Sequence, residues 1–204
     1  MNIVFNEDQK DVLREFVNIS LGEATANIAQ LLEAFGTMHI PEISIENSQN
    51  LQSFISKDLD NDSIYYVTKQ LFSGSFGGEV IFIVSRESSQ NLAKSIFKVE
   101  HSSQDDISDA VMEMTNIVTS TIVSRLAQEL GVSVQFFAPA SSLIYPNEIV
   151  DYDDVVNYST VIILKTIIDF HDQNISGIIF ILTKDEAIDR LRDLIDRKLE
   201  ELYS

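Results

Sequence analysis

The 204-residue chain is 45% hydrophobic and 23% charged, enough to bury a core and too ordinary in composition for a disordered or fibrous protein. Its 32 acidic and 14 basic residues leave a formal charge of −18, a field that repels phosphate backbones and anionic lipid, so neither nucleic acid nor membrane is an expected partner. The absence of cysteine excludes disulfides, thiolate zinc sites and a cysteine nucleophile. With no secretory leader pattern and no apolar run of membrane-span length, the cytoplasm is the expected compartment.

In chain order, the apolar spacing predicts a long amphipathic helix over about 7–35, with Leu13, Phe16, Val17, Ala24, Ile28, Leu31 and Phe35 on one broad face and Gly36 as its stop. An extended segment near 38–45 follows, then a short helical stretch near 50–56. Strands are predicted over about 63–72 and 78–84, with Gly74, Gly77 and Gly78 supplying the turn. A helix starting near Ser85 and carrying Leu92, Ala93 and Ile96 closes this half.

After a polar link near 100–106 the order recurs. A second long helix is predicted over about 105–130, with Val111, Ile122, Leu126 and Leu130 inward and Gly131 as its stop. An extended segment over about 132–139, a polar connection containing Pro146, and strands over about 159–168 and 177–182 come next. The last helix begins near Thr183 and carries Ala187, Leu191, Leu194, Ile195 and Leu199. The fold class read from this order is α/β (α+β): a pseudo-twofold repeat of helix–strand–helix–strand–strand–helix, repeat 1 at about 7–99 and repeat 2 at about 105–204. The two repeats are expected to share one six-stranded, mostly antiparallel sheet, with each half's helices on one side and two long helices exposed. They form one domain in this reading.

A sparse motif marks the repeat. Asp11, Glu15, Asn18 and Pro41 recur as Asp109, Glu113, Asn116 and Pro139, each displaced by 98 positions (for example 113 − 15), in a chain with three prolines. At about 100° per residue, Asp11, Asn18 and Gly22 all fall within about 60° of Glu15, roughly opposite the apolar face. Asp109, Glu113, Asn116 and Ser120 make the matching stripe. Polar residues opposite an apolar face are what any surface helix shows. A solvated face does not account for the same residues returning at the same gaps.

This pattern, an Asp or Ser, three residues, Glu, two residues, Asn, then twenty-two residues to Pro, resembles that of the CheC/CheX/FliY family of chemotaxis receiver phosphatases, and both copies satisfy it. The segments Glu15, Phe16, Val17, Asn18, Ile19 and Glu113, Met114, Thr115, Asn116, Ile117 are similar to the family's core motif. Two intact copies most resemble the CheC branch; the FliY branch carries a further C-terminal domain, which is not expected here.

The resemblance implies a substrate, the aspartyl phosphate of a CheY-like receiver, and a chemotaxis role. It implies Asn18 and Asn116 as water-positioning residues, because a neutral carboxamide can orient water beside anionic phosphoryl oxygens where a carboxylate would be repelled. Glu15 and Glu113 would dock by pairing with the receiver's lysine. Asp11 and Asp109 read as helix-start electrostatics, and Pro41 and Pro139 as strand-edge geometry. No cofactor of its own is expected, since Mg²⁺ would belong to the receiver. A CheD-like deamidase is a further candidate partner, and a monomer is the simplest state.

Other chemistry is weakly marked. His39, His101 and His171 lack metal-ligand spacing. Gly74, Gly77 and Gly78 precede a strand and lack the lysine of a phosphate loop. The acidic groups at Asp58, Asp60 and Asp62 and at Asp151, Asp153 and Asp154 read as solvated turns. Three functions stay open at this point: a receiver phosphatase, a non-catalytic receiver- or CheD-binding adaptor, and a two-component regulator outside chemotaxis.

Overall fold

A computed structural model of the chain describes residues 5–39, 42–150, 159–184 and 186–203. Five α-helices are described: α1 (Glu7–Leu32), α2 (Leu51–Ser56), α3 (Arg86–Phe97), α4 (Gln104–Glu129) and α5 (Glu186–Tyr203). The strands are β1 (Thr37–Met38), β2 (Glu42–Asn47), β3 (Tyr65–Gly74), β4 (Gly78–Ser85), β5 (Val134–Phe136), β6 (Ala140–Ile144), β7 (Thr160–Phe170) and β8 (Ile175–Lys184).

All eight strands join one antiparallel sheet, in the order β1-β7-β8-β4-β3-β5, with β2 also on β7 and β6 also on β3. Six strand positions are therefore filled by eight strands. Each edge pairs in two pieces; in the second half the outer piece, β6, lies beyond the extended segment of about 132–139 read from the sequence, in what the sequence reads as a polar connection.

The two halves are related by register. Glu42 faces Lys165 across one edge as Ala140 faces Lys69 across the other. Edge residues are thus displaced by 98 (140 − 42) and β3 residues by 96 (165 − 69). In the centre β4 pairs with β8, and the matching of Glu79 with Leu182 and Ile83 with Ile178 puts the twofold through the Ile81–Phe180 pair.

Strand residues alternate between two apolar layers. Tyr66, Phe72, Val80, Phe82, Ile162, Leu164, Ile179 and Ile181 pack with α1, α3, α4 and α5, whereas Val67, Ile81, Ile83, Val161, Ile163 and Phe180 pack with Leu51 and Ile55 of α2. The short helix α2 therefore covers the opposite face, which corrects the expectation of helices on one side only. A six-residue helix anchored by two apolar side chains is too short for its periodicity to declare a face.

Both long helices open with reciprocal caps of different chemistry. The Asn6 side chain accepts from the Gln9 backbone N–H while the Gln9 side chain accepts from the Asn6 backbone N–H, each at 2.8 Å. At α4, Ser103 Oγ accepts from the Asp106 backbone N–H at 3.1 Å and Asp106 accepts from the Ser103 backbone N–H at 2.8 Å. The bonds from Ser103 hold the Asp106 carboxyl below its ordinary range.

α1 ends at Leu32, where Glu33 turns left-handed at φ 53° and the Ala34 N–H closes onto Ala29. The helix is shorter than its apolar pattern predicts, and Phe35, expected on the buried face, is 93% exposed. The role assigned to Gly36 changes with it: a Cβ there would fall 2.1 Å from the Phe170 ring. The related position in the second half reverses the sizes, with Val134 opposite Gly74, whose φ is +146°. Gly131 does terminate α4, at φ +68°. α5 starts at Glu186, a little later than predicted, because β8 continues through Lys184.

Candidate functional site

α1 and α4 lie side by side on the sheet. Asn27 Nδ2 donates to Thr121 Oγ1 at 3.1 Å, and Arg125 Nε stands 3.9 Å from the Glu23 carboxylate. As the α1 number rises by four (23 to 27), its α4 partner falls by four (125 to 121), so the helices run antiparallel through this contact. Continued at 1.5 Å per residue, that alignment puts Asn18 and Asn116 on the order of 20 Å apart along the helix axes. The two Glu/Asn stripes are therefore separate surfaces rather than parts of one composite surface.

Core packing dictates which way each stripe faces. Leu13, Phe16, Val17, Leu21, Ala24 and Ile28 are buried under α1, and Ala110, Val111, Met114, Val118 and Ile122 under α4. Glu15, Asn18, Glu113 and Asn116 are left exposed, with each carboxylate one turn from its carboxamide. Neither Glu15 nor Glu113 has an ion-pair partner among the described residues.

Their surroundings differ. Asp11 accepts from Arg14 Nη1 at 2.7 Å, whereas Met112 stands where an arginine would meet Asp109. Asn18 has no hydrogen-bond partner among the described residues. Asn116 Oδ1 accepts from Gln70 Nε2 at 3.1 Å. Gly22 is exposed, and a Cβ built there would meet nothing within 4 Å. The fold itself gives no reason for a residue that costs a helix interior about 1 kcal/mol relative to alanine. Its counterpart Ser120 returns its hydroxyl to the Ile117 carbonyl at 3.2 Å.

Pro139 is half-buried between β5 and β6, at the interruption of the edge strand. Pro41 lies outside the described residues, as do Asp151, Asp153 and Asp154. Asp58 pairs with Lys165, and Asp60 accepts from Ser63 Oγ at 2.6 Å and from the Asp62 backbone N–H at 3.2 Å, the bonding of a tight turn. Among the described residues no His, Asp and Glu side chains gather into a group able to hold a metal ion. No described helix is long and apolar enough to cross a membrane.

The contact of Gln70 with Asn116 was not legible from the sequence motif. The signal lay in strand parity: Tyr66, Thr68, Gln70 and Phe72 share the helix-facing side of β3, and a glutamine at core parity needs a partner.

Residues 66–141 match the family described as Chemotaxis phosphatase CheX. No curated protein matches the chain. Among solved structures, Thermotoga maritima FliY is similar with a TM-score of 0.75 at 15% identity, over 96% of this chain and 100% of that one. FliM in the H. pylori FliM–SpeE complex is similar at 0.67 and 10% identity, over 96% and 98%. Vibrio vulnificus CheX is similar at 0.57 and 15% identity, over 84% and 99%. At such identities the structural likeness speaks to the fold and does not choose among branches. With the CheX match over residues 66–141, these likenesses show that the chain has the fold seen in CheX, FliY and FliM proteins.

Proposed function

We propose that this protein removes the phosphoryl group from the aspartyl phosphate of a CheY-like receiver in chemotaxis signalling. The observation that carries the reading is the pair of outward-facing stripes, each offering a carboxylate with no ion-pair partner among the described residues, one helical turn from a carboxamide. Water attacks phosphorus, the bond between phosphorus and the aspartyl oxygen breaks, and the receiver's carboxylate and inorganic phosphate are released. The mixed anhydride is already reactive, and the receiver brings its own Mg²⁺ and lysine. The task left to this chain is to hold one water in line, and positioning is a large lever on such reactions.

Asn18 and Asn116 orient that water, with the carboxamide accepting from it and donating toward the phosphoryl oxygens. Glu15 and Glu113 dock on the receiver's lysine. Gly22 supports the docking, because a bare helix surface at the stripe admits a partner's backbone. Asp11 and Asp109 stay outside the chemistry, Asp11 being spent on Arg14. The reading treats the chain as one duplicated unit, monomeric and cytoplasmic, with no cofactor of its own and with a CheD-like deamidase as a second candidate partner.

A second reading, a non-catalytic adaptor that captures a phosphorylated receiver or a CheD-like protein, draws on the likeness to FliM, which is known in complex with SpeE. Phosphate release from a phosphorylated CheY-like receiver separates the two. Asn18→Ala with Asn116→Ala is expected to lower turnover by roughly 10²-fold or more while receiver binding persists. Full turnover by the double variant would overturn the mechanism, and binding without turnover by the unmodified protein would establish the adaptor.

A further inference from the structure

Gln70 is 1% exposed on the helix-facing side of β3, and its Nε2 donates to the Phe137 carbonyl at 2.9 Å and to Asn116 Oδ1 at 3.1 Å. Chemistry fixes both amide orientations. A backbone carbonyl only accepts, so Gln70 must turn its NH₂ toward Phe137. The remaining hydrogen on that nitrogen then needs an acceptor, which Asn116 can supply only with Oδ1. The Asn116 Nδ2 therefore points away from the core, with both of its hydrogens unspent. Oδ1 keeps a second lone pair.

The first half lacks this relay. By sheet register the counterpart of Gln70 is Thr166 (70 + 96), and that of Phe137 is His39 (137 − 98). Thr166 Oγ1 donates to the His39 carbonyl at 2.7 Å, so the anchoring bond is kept. A hydroxyl has one proton, and nothing remains to reach Asn18. Flanking residues diverge in the same sense. Thr68 and Thr119 bury hydroxyls without a partner among the described residues, where the first half has Leu164 (68 + 96) and Leu21 (119 − 98). Buried polar atoms left unsatisfied are costly, and these two sit on the elements that carry Gln70 and Asn116.

The geometry points to Gln70 as a positioning residue that locks the Asn116 carboxamide in its working orientation, making the second site preorganised and the first site dependent on docking for its order. This rests on the water-positioning reading of the two asparagines. In the locked orientation the free lone pair of Oδ1 accepts from the attacking water and Nδ2 donates to a phosphoryl oxygen.

The test uses the full chain with Asn18→Ala, so that only the second site reports. Gln70→Thr, which copies the first half, is expected to lower kcat about three- to tenfold with KM unchanged, the scale of one side chain's lost order. Gln70→Glu keeps the shape but removes the donor, and is expected to lower kcat at least as far. In the reciprocal background, Asn116→Ala, adding Thr166→Gln is expected to raise kcat. NMR relaxation of the side-chain NH₂ groups reads the lock without turnover: Asn116 should be rigid, Asn18 mobile, and Asn116 mobile once Gln70→Thr is made. Equal mobility of the two asparagines in the unmodified protein would overturn the proposal. So would an Asn116 amide freed by Gln70→Thr with kcat unmoved. Full turnover by the double asparagine variant would instead remove the catalytic reading, leaving the NMR comparison to decide whether Gln70 holds the amide.

Discussion

In the first half Asn18 stands free on α1 above a bare Gly22; in the second, Asn116 is held from below by a buried glutamine that arrives from β3. The exposed pairs Glu15/Asn18 and Glu113/Asn116 match, while nearly everything that supports them has diverged. Arg14 has become Met112, Gly22 has become Ser120, and Thr166 stands where the other half uses Gln70. The Glu and Asn that would meet a partner are shared, as are Asp11/Asp109 and Pro41/Pro139, whereas the surroundings of the two asparagines differ, and that difference is the place to probe.

The largest expected effect tests whether both stripes dock. Glu15→Lys and Glu113→Lys should each weaken binding of a phosphorylated receiver at their own site by about 10- to 100-fold, as measured by calorimetry with the other site's glutamate also replaced. Unequal losses would sharpen the comparison; no loss at either would remove glutamate docking.

Next come the two reversed small-to-large pairs. Gly36→Ala would press a methyl into the Phe170 ring, and Gly74→Ala would strain a φ of +146° with its Cβ 2.6 Å from the Ser133 carbonyl oxygen. Each should lower unfolding free energy by about 1–3 kcal/mol in urea titrations. Gly22→Ala should do the opposite, raising stability by about 0.5–1 kcal/mol while weakening the receiver at the first site. A stabilised variant with unchanged docking would mean that the bare helix surface has no partner.

The smallest effect is a difference in acid response between the caps. Asp106 is held low by Ser103, so its contribution is present above the unfolded carboxylate pKa and is lost as pH falls through the lower folded value. The Asn6/Gln9 box has no titrating member. Measured as protection relative to the intrinsic exchange rate at each pH, amides of the first turn of α4 should therefore lose more on acidification than those of Asn6 and Gln9. Glu7, held low by Lys10, adds an acid sensitivity of its own to α1.

How much of this was legible follows from range along the chain. The long helices, the Gly74–Gly78 turn and the outward Glu/Asn stripes are set by spacing within a few turns, and those expectations match the folded positions. The end of α1 was misplaced because the apolar period runs on through Leu31 and Phe35, while the chain is turned at Glu33 by a left-handed cap on a non-glycine residue, which carries little sequence signal. The face covered by α2 and the grip of Gln70 on Asn116 join residues far apart in sequence. Only strand parity hinted at the second.

The Ile81–Phe180 pair on the twofold carries a consequence for how such a molecule can evolve. An assembly of two identical subunits would set each axial residue against its own copy, Ile on Ile or Phe on Phe, and every change would appear twice. Joining the subunits in one polypeptide removes that demand for self-complementarity. Unlike side chains can then meet at the axis, and a glutamine can be planted beneath one site without being imposed on its twin.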